Sequence, residues 1–436
     1  VPVRTIDTRQ IEEEMSMGHV LRQRRTRVSV AMVVCAVTAA ALAKLSLAYT
    51  TYGSTDVVYW ELFLKGYREY GGVALYQKTQ LFDYRFNEVF NHPPFMIHAL
   101  RAMGALAAAT SIPFPFWLRL PAILADVGAV ALVWATLRHM RGAPANPGAL
   151  ILLALAPASL LISGFHGNTD PIMTFFVLLA AFFLTREQDV GGEHSFWLAG
   201  AAYGMSLNIK AVPVLLVPVL FFVLPGVRQR LVFFATAGAV VAFASLPFLL
   251  QDPVTIAARI FGYGSQYGHW GVSRLLGALP PEYAWASRLY ERQGKYLVLV
   301  CIGGVSWAVN RHRPKPAPFL QCGFILFLFM FLTPGFGVQY LAWLVPWALG
   351  LNRWLAMLYF TTSGVFLYLV YNYWSGGLPW DFGDAGVGFW QGRAVAAELL
   401  CWIVVGAIVL AYGYVLLVRR APKRPDVIDA GVEAPG

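Results

Sequence analysis

The sequence predicts an all-α polytopic membrane protein of about twelve transmembrane helices, and three observations carry that prediction. Of 436 residues, 58% are hydrophobic and only 13% charged, with a mean hydropathy of +0.58, whereas soluble domains are about 25% charged. The apolar residues fall in repeated runs near the roughly 20 residues that cross a bilayer. The cations cluster in short segments beside those runs, as the positive-inside bias requires. The net charge of +10 therefore has a membrane explanation. No basic-aromatic recognition motif accompanies it, and nucleic acid is not expected as a partner.

Residues 1–27 read as a cytoplasmic segment ending in Arg22, Arg24, Arg25 and Arg27, followed by an uncleaved first span. Residues 28–418 read as a single transmembrane domain, and residues 419–436 as a cytoplasmic tail. Apolar runs between charged or Pro/Gly punctuation place spans at 28–49, 115–138, 148–163, 171–185, 195–209, 211–225, 231–250, 293–310, 317–333, 337–350, 353–372 and 395–418. Residues 94–110 would make a thirteenth. An odd count would separate the N-terminal arginines from Arg419, Arg420, Lys423 and Arg424, so this stretch, which carries His98 and Arg101, is read as an interfacial helix. Three larger segments, 50–114, 251–292 and 373–394, then lie on the outer face, where chemistry could reside. Cys35, Cys301, Cys322 and Cys401 show no CxxC spacing and read as packing residues.

Candidate residues gather on that outer face. Asp56 follows the first span at head-group depth, suited either to cap a helix or to act as a base. His92, before Pro93 and Pro94, either closes a turn or touches a phosphate. His166, Asn168 and Asp170 make a dense polar group between two apolar runs. Asp170 before Pro171 is also a good N-cap. Lys210 is an isolated ammonium near hydrocarbon, which marks a ligand or partner unless it snorkels to head groups. Gln266, His269 and Trp270 lie among glycines and aromatics that suit sugar stacking or an interfacial belt, and Arg274 suits an anion. Gln339 and Tyr340 return to the same face. Arg119 and Asp126, seven apart on one helical face, are expected to form an intramembrane ion pair.

These residues resemble the GT-C superfamily of integral membrane glycosyltransferases, which use polyprenyl-phosphate sugars. The resemblance rests on Ser54-Thr55-Asp56, His92-Pro93-Pro94, Trp117-Leu118-Arg119-Leu120-Pro121, Phe165-His166-Gly167-Asn168-Thr169-Asp170, Lys210, and Gln339-Tyr340 before Trp343. It covers the first half of the chain well and the rest loosely, and the short His-Gly-Asn-Thr-Asp loop looks most like the mannosyl- and glucosyltransferase branches. It implies a GT-C-like fold with interfacial helices in the first outer loop and Asp56 as the general base. Lys210, Arg274 and His92 would serve the donor phosphate. His166, Asn168, Asp170, Gln266, His269, Trp270, Gln339 and Tyr340 would serve the sugar or acceptor. The implied reaction is hexosyl transfer, of mannose by the branch resemblance, with inversion, from a polyprenyl-phosphate sugar to a lipid or glycolipid hydroxyl. Its implied place is the periplasmic side of a bacterial plasma membrane, among membrane lipids. No cofactor is expected, and the lack of an Asp-x-Asp pair predicts no metal. A secondary transporter or lipid-linked sugar flippase is the competing class. It would be expected to show related halves and paired broken helices, and no internal repeat is found.

Overall fold

The computed structural model describes residues 8–80, 88–142, 146–190, 194–262, 264–311 and 314–418, with side chains from residue 28 onward except 188–190. The side chains of the Arg22–Arg27 cluster, Arg313 and the tail cations from Arg419 onward lie outside the described residues.

Every apolar run read as a span is helical, though not always continuously. Among the described residues, six helical segments are long and apolar enough to cross a membrane: Val28–Thr50, Phe114–Arg141, Pro147–His166, Val227–Leu249, Arg353–Trp374 and Arg393–Val418. Phe95–Thr110, Val212–Val223 and Pro318–Leu332 are shorter apolar helices. Proline explains several interruptions. Pro157 follows a break after Ala154, and Pro213 stands where the chain tightens to a 3₁₀ turn over Val212–Leu216, since proline lacks the donor that a continuous helix needs. The run 337–350 departs most from a simple span. It is a 3₁₀ turn Val338–Tyr340, one α-turn Leu341–Leu344 and a second 3₁₀ stretch Val345–Gly350 around Pro346, wedged inside the protein with Leu341, Trp343, Leu344 and Trp347 buried.

Large apolar side chains line the outside of the bundle, among them Phe243 at 90% exposure and Leu410 at 76%. Such a surface is tolerable only against lipid. Cys35 also faces outward, while Cys322 and Cys401 are core residues. Inside, helices His194–Ile209 and Val227–Leu249 approach backbone to backbone. A Cβ at Gly200 would lie 2.4 Å from the Phe233 carbonyl oxygen, and one at Gly204 would lie 2.6 Å from that of Ala237. Small residues four apart permit this close crossing, as is common in membrane bundles.

At one end of the bundle, helices Thr55–Tyr70, Gly72–Gln77 and Phe95–Thr110 pack against the long helices. Two short strand pairs clip distant segments together there. Gly53–Ser54 runs parallel to Phe382–Gly383, and Gln266–Tyr267 runs antiparallel to Gly335–Phe336. Segment 50–114 is thus tied to segment 373–394, and segment 251–292 to the turn before Val338.

Candidate active site

Helix Thr55–Tyr70 is capped by Ser54, whose Oγ accepts from the Asp56 amide at 3.2 Å. The cap leaves the Asp56 carboxylate available. Its Oδ2 meets His166 Nε2 at 3.1 Å and accepts from Asn168 Nδ2. Both partners come from the polar loop of the Pro147–His166 segment. A π-helical turn, Ile162–His166, presents the imidazole, and Gly167 at φ +81° then turns the chain so that Asn168 faces the same carboxylate. Only glycine fits here, because a Cβ would also lie 2.4 Å from Val57 Cγ2. Asn168 Oδ1 accepts from the Thr169 amide at 2.6 Å, which fixes its NH₂ toward Asp56.

Burial would raise the Asp56 carboxyl. The charge and hydrogen bond of His166, the Lys210 ammonium and the Asn168 amide outweigh it and hold the group below the usual carboxylate range. The side chain keeps 26% of its surface. It opens on a pocket of about 130 Å³ lined by Tyr59, Trp60, Glu88, Asn91, His92, Asn168, Lys210, Gln339 and Tyr340 among others. His92 packs against Trp60 with tilted rings, 4.3 Å between centroids, and burial pushes it down to about 3, so it is a neutral wall near pH 7. Burial and the nearby Asp56 charge push Glu88 up to about 6, against the Val89 amide.

Lys210 has a protein counter-charge. Its Nζ donates to Asp170 Oδ2 at 2.7 Å, and Asp170, fully buried, also accepts from Trp343 Nε1. Of the readings the sequence left open for this lone ammonium, a ligand, a partner or snorkelling to head groups, the structure supplies a partner within the chain. Tyr340 stacks on Trp343 at 4.2 Å and shares a short hydrogen bond with Ser265. Asp170 is thereby an inner brace for Lys210 and Trp343, and Lys210, Gln339 and Tyr340 reach the pocket.

Residues 91–250 match the family model of dolichyl-phosphate-mannose-protein mannosyltransferases. The matched segment holds His92, His166, Asn168, Asp170 and Lys210. The chain is also 28% identical over 175 residues to YkcB of Bacillus subtilis (strain 168), a protein assigned by name only as a mannosyltransferase. That similarity covers 36% of this chain, and the chain spans about a quarter (24%) of the relative's length. Crystal structures of ArnT from Cupriavidus metallidurans are similar at 13% identity and a TM-score of 0.46. The one bound to undecaprenyl phosphate covers 88% of this chain and 76% of its own, and the apo one 89% and 78%.

Several candidates stand apart from the Asp56 pocket. Arg274 forms a two-pronged pair with Glu398, Nε to Oε1 at 2.8 Å and Nη2 to Oε2 at 2.7 Å. It is not among the pocket-lining residues, so its guanidinium is committed elsewhere. Trp270 is core, donating to the Met330 carbonyl at 2.7 Å and stacked on Phe336. His269 stacks on Phe389, and Gln266 sits exposed in the short strand pair. Arg119 and Asp126 do not pair. Asp126 accepts from Lys44, Ser159 and Ser163, while Arg119 bonds to carbonyl oxygens and Thr51. One helical face put the two in line, but each met a nearer partner on a neighbouring element. Glu88, Asn91 and Trp60 in the pocket, and Glu398 behind Arg274, were not singled out from sequence. Glu398 had a usable signal, being a single acid inside a long apolar run.

Proposed function

We propose that the chain is a membrane glycosyltransferase that moves a hexose from a polyprenyl-phosphate sugar to a hydroxyl of a lipid-linked or glycolipid acceptor. The observation that carries this reading is an ionised, partly exposed carboxylate, Asp56, oriented by His166 and Asn168 at a pocket whose opposite polar wall is Lys210. The Asp56 carboxylate takes the proton of the acceptor hydroxyl as its oxygen bonds to the anomeric carbon. The bond from that carbon to the phosphate oxygen breaks, and its electron pair leaves on the polyprenyl phosphate. Lys210 faces that developing anion. A single displacement inverts the anomeric centre. Trp60 with His92 offers a flat wall for a sugar ring, while Glu88, Asn91, Gln339 and Tyr340 offer hydroxyl partners. Mannose is the sugar of choice because the matched family is described by dolichyl-phosphate mannose. We place the reaction on the periplasmic side of a bacterial plasma membrane, where a lipid donor reaches a pocket at the end of the bundle. No metal or cofactor enters this scheme.

The full chain in liposomes, given a panel of polyprenyl-phosphate sugars and glycolipid acceptors, should release polyprenyl phosphate with at least one pairing. Asp56→Asn keeps the Ser54 cap and should lose about 10²–10⁴-fold in kcat. Release in the variant at the wild-type rate would refute the base assignment. Release by the wild type with no donor in the panel would refute the substrate class.

A further inference from the structure

Arg119 is fully buried in helix Phe114–Arg141, and among the described residues its hydrogen bonds go to carbonyl oxygens and one hydroxyl rather than to a carboxylate. An ammonium or guanidinium in such a place is costly unless every donor is used. Here they are used on backbone. Nε donates to the Pro115 carbonyl at 3.0 Å. Nη1 donates to Thr51 Oγ1 at 3.0 Å, Gly164 O at 2.9 Å and Leu47 O at 3.3 Å. Nη2 donates to Thr51 O at 2.7 Å and Tyr52 O at 2.6 Å. Leu47, Thr51 and Tyr52 lie at and just past the end of the Thr8–Thr50 helix, where the Leu47 carbonyl also accepts from the Thr51 amide at 3.1 Å. The Gly164 carbonyl belongs to the π-helical turn Ile162–His166.

The two segments gathered by this guanidinium carry the two sides of the carboxylate contact. Asp56 follows Tyr52 by four residues, and His166 follows Gly164 by two. Between the guanidinium and the contact the segments are locked again. Ser54 Oγ donates to the His166 carbonyl at 2.7 Å, and a Cβ on Gly53 would lie 2.8 Å from the Phe165 oxygen.

We infer that Arg119 is a positioning residue, setting the 3.1 Å contact between Asp56 and His166 by holding both backbones on one planar fork. The inference rests on the proposed role of Asp56 but concerns a residue that touches no substrate. Lysine cannot replace the fork, because one ammonium offers three donors about a point and cannot span acceptors on three elements.

The test uses the full chain in detergent or liposomes. Arg119→Lys should melt as a folded protein yet lose about a hundredfold in kcat at unchanged donor KM, the size of effect expected from a misplacement near 1 Å. The ionisation of Asp56, followed by its ¹³C-carboxyl signal and assigned by loss of that signal in Asp56→Asn, should move to higher pH as His166 draws away. This second measurement needs no turnover, so it stands even if no sugar is transferred. Should Arg119→Lys not fold, Thr51→Val removes a single acceptor and should show the same two changes at smaller size. Glu398→Gln breaks a buried pair elsewhere and should lower the melting temperature without moving the Asp56 signal. An Asp56 midpoint that stays at the wild-type value in a folded Arg119 or Thr51 variant would overturn the inference and leave Arg119 with a purely structural role.

Discussion

The Asp56 carboxylate, the proposed base, is kept charged by its surroundings. In a buried site an isolated carboxyl would rise, and here three partners reverse that sign. The acid limb of kcat/KM should therefore fall below the ordinary aspartate value of about 3.9. Removing the partners returns control to burial. His166→Gln and Asn168→Ala should each move the limb to higher pH, and a pH–rate series on the free enzyme reads it directly. Glu88 titrates in the opposite sense. Raised to about 6, it is neutral below that pH and anionic above it, in the pocket proposed for an anionic donor. Donor KM should rise as pH passes through that point, and Glu88→Gln should flatten the rise. Lys210 calls for a paired experiment, since Asp170 is its partner. Lys210→Met alone leaves a buried acid unpaired and should lower both donor affinity and melting temperature. Adding Asp170→Asn should restore the melting temperature and leave donor affinity low. Recovery of both by the double variant would show that the lysine serves only Asp170.

At the scale of elements, position is set by caps and close approaches. Ser54 both caps Thr55–Tyr70 and bonds the His166 carbonyl, so Ser54→Ala should cost about 1 kcal/mol for the cap and loosen the Asp56 contact as well. Thermal melting and kcat should fall together in that variant. Gly200→Ala is a cleaner packing lesion. Its Cβ would meet the backbone of Phe233 at 2.4 Å, and backbone cannot yield as a side chain can. Forcing the helices apart should cost about 1–3 kcal/mol, read as a lower melting temperature with kcat of the folded fraction unchanged.

Over the whole molecule, buried charges act as long-range ties. Lys44 in the first long helix bonds Asp126 Oδ2 and Ser159 Oγ, each at 2.7 Å, and Ser163 closes the group at 2.6 Å from Asp126. Three helical segments meet there, beneath the turn that presents His166. Breaking one side of such a pair costs about 3–5 kcal/mol, whereas replacing both by apolar groups is often close to neutral. Lys44→Met should therefore melt well below the Lys44→Met/Asp126→Leu double variant. Equal melting of the two would mean that the pair is not an electrostatic tie.

Composition and periodicity were enough to read the architecture and the end of the bundle at which the polar loops gather. Apolar length and cation placement are local properties of the chain, and lipid imposes them on each segment separately. The nearness of Asp56, His166, Asn168 and Lys210 was legible only as a shared face. Their contacts were not legible, because a hydrogen-bond partner 110 residues away leaves no local pattern. The same reason explains the residues read otherwise from sequence. A heptad spacing placed Arg119 beside Asp126 in one helix, and isolation along the chain marked Lys210 for a ligand or partner and Arg274 for an anion without naming Asp170 or Glu398. In the folded bundle each charge answers to whichever acceptor another segment brings within about 3 Å. That choice belongs to tertiary packing, where the cost of burying an unpaired charge far exceeds any preference written within a single helix.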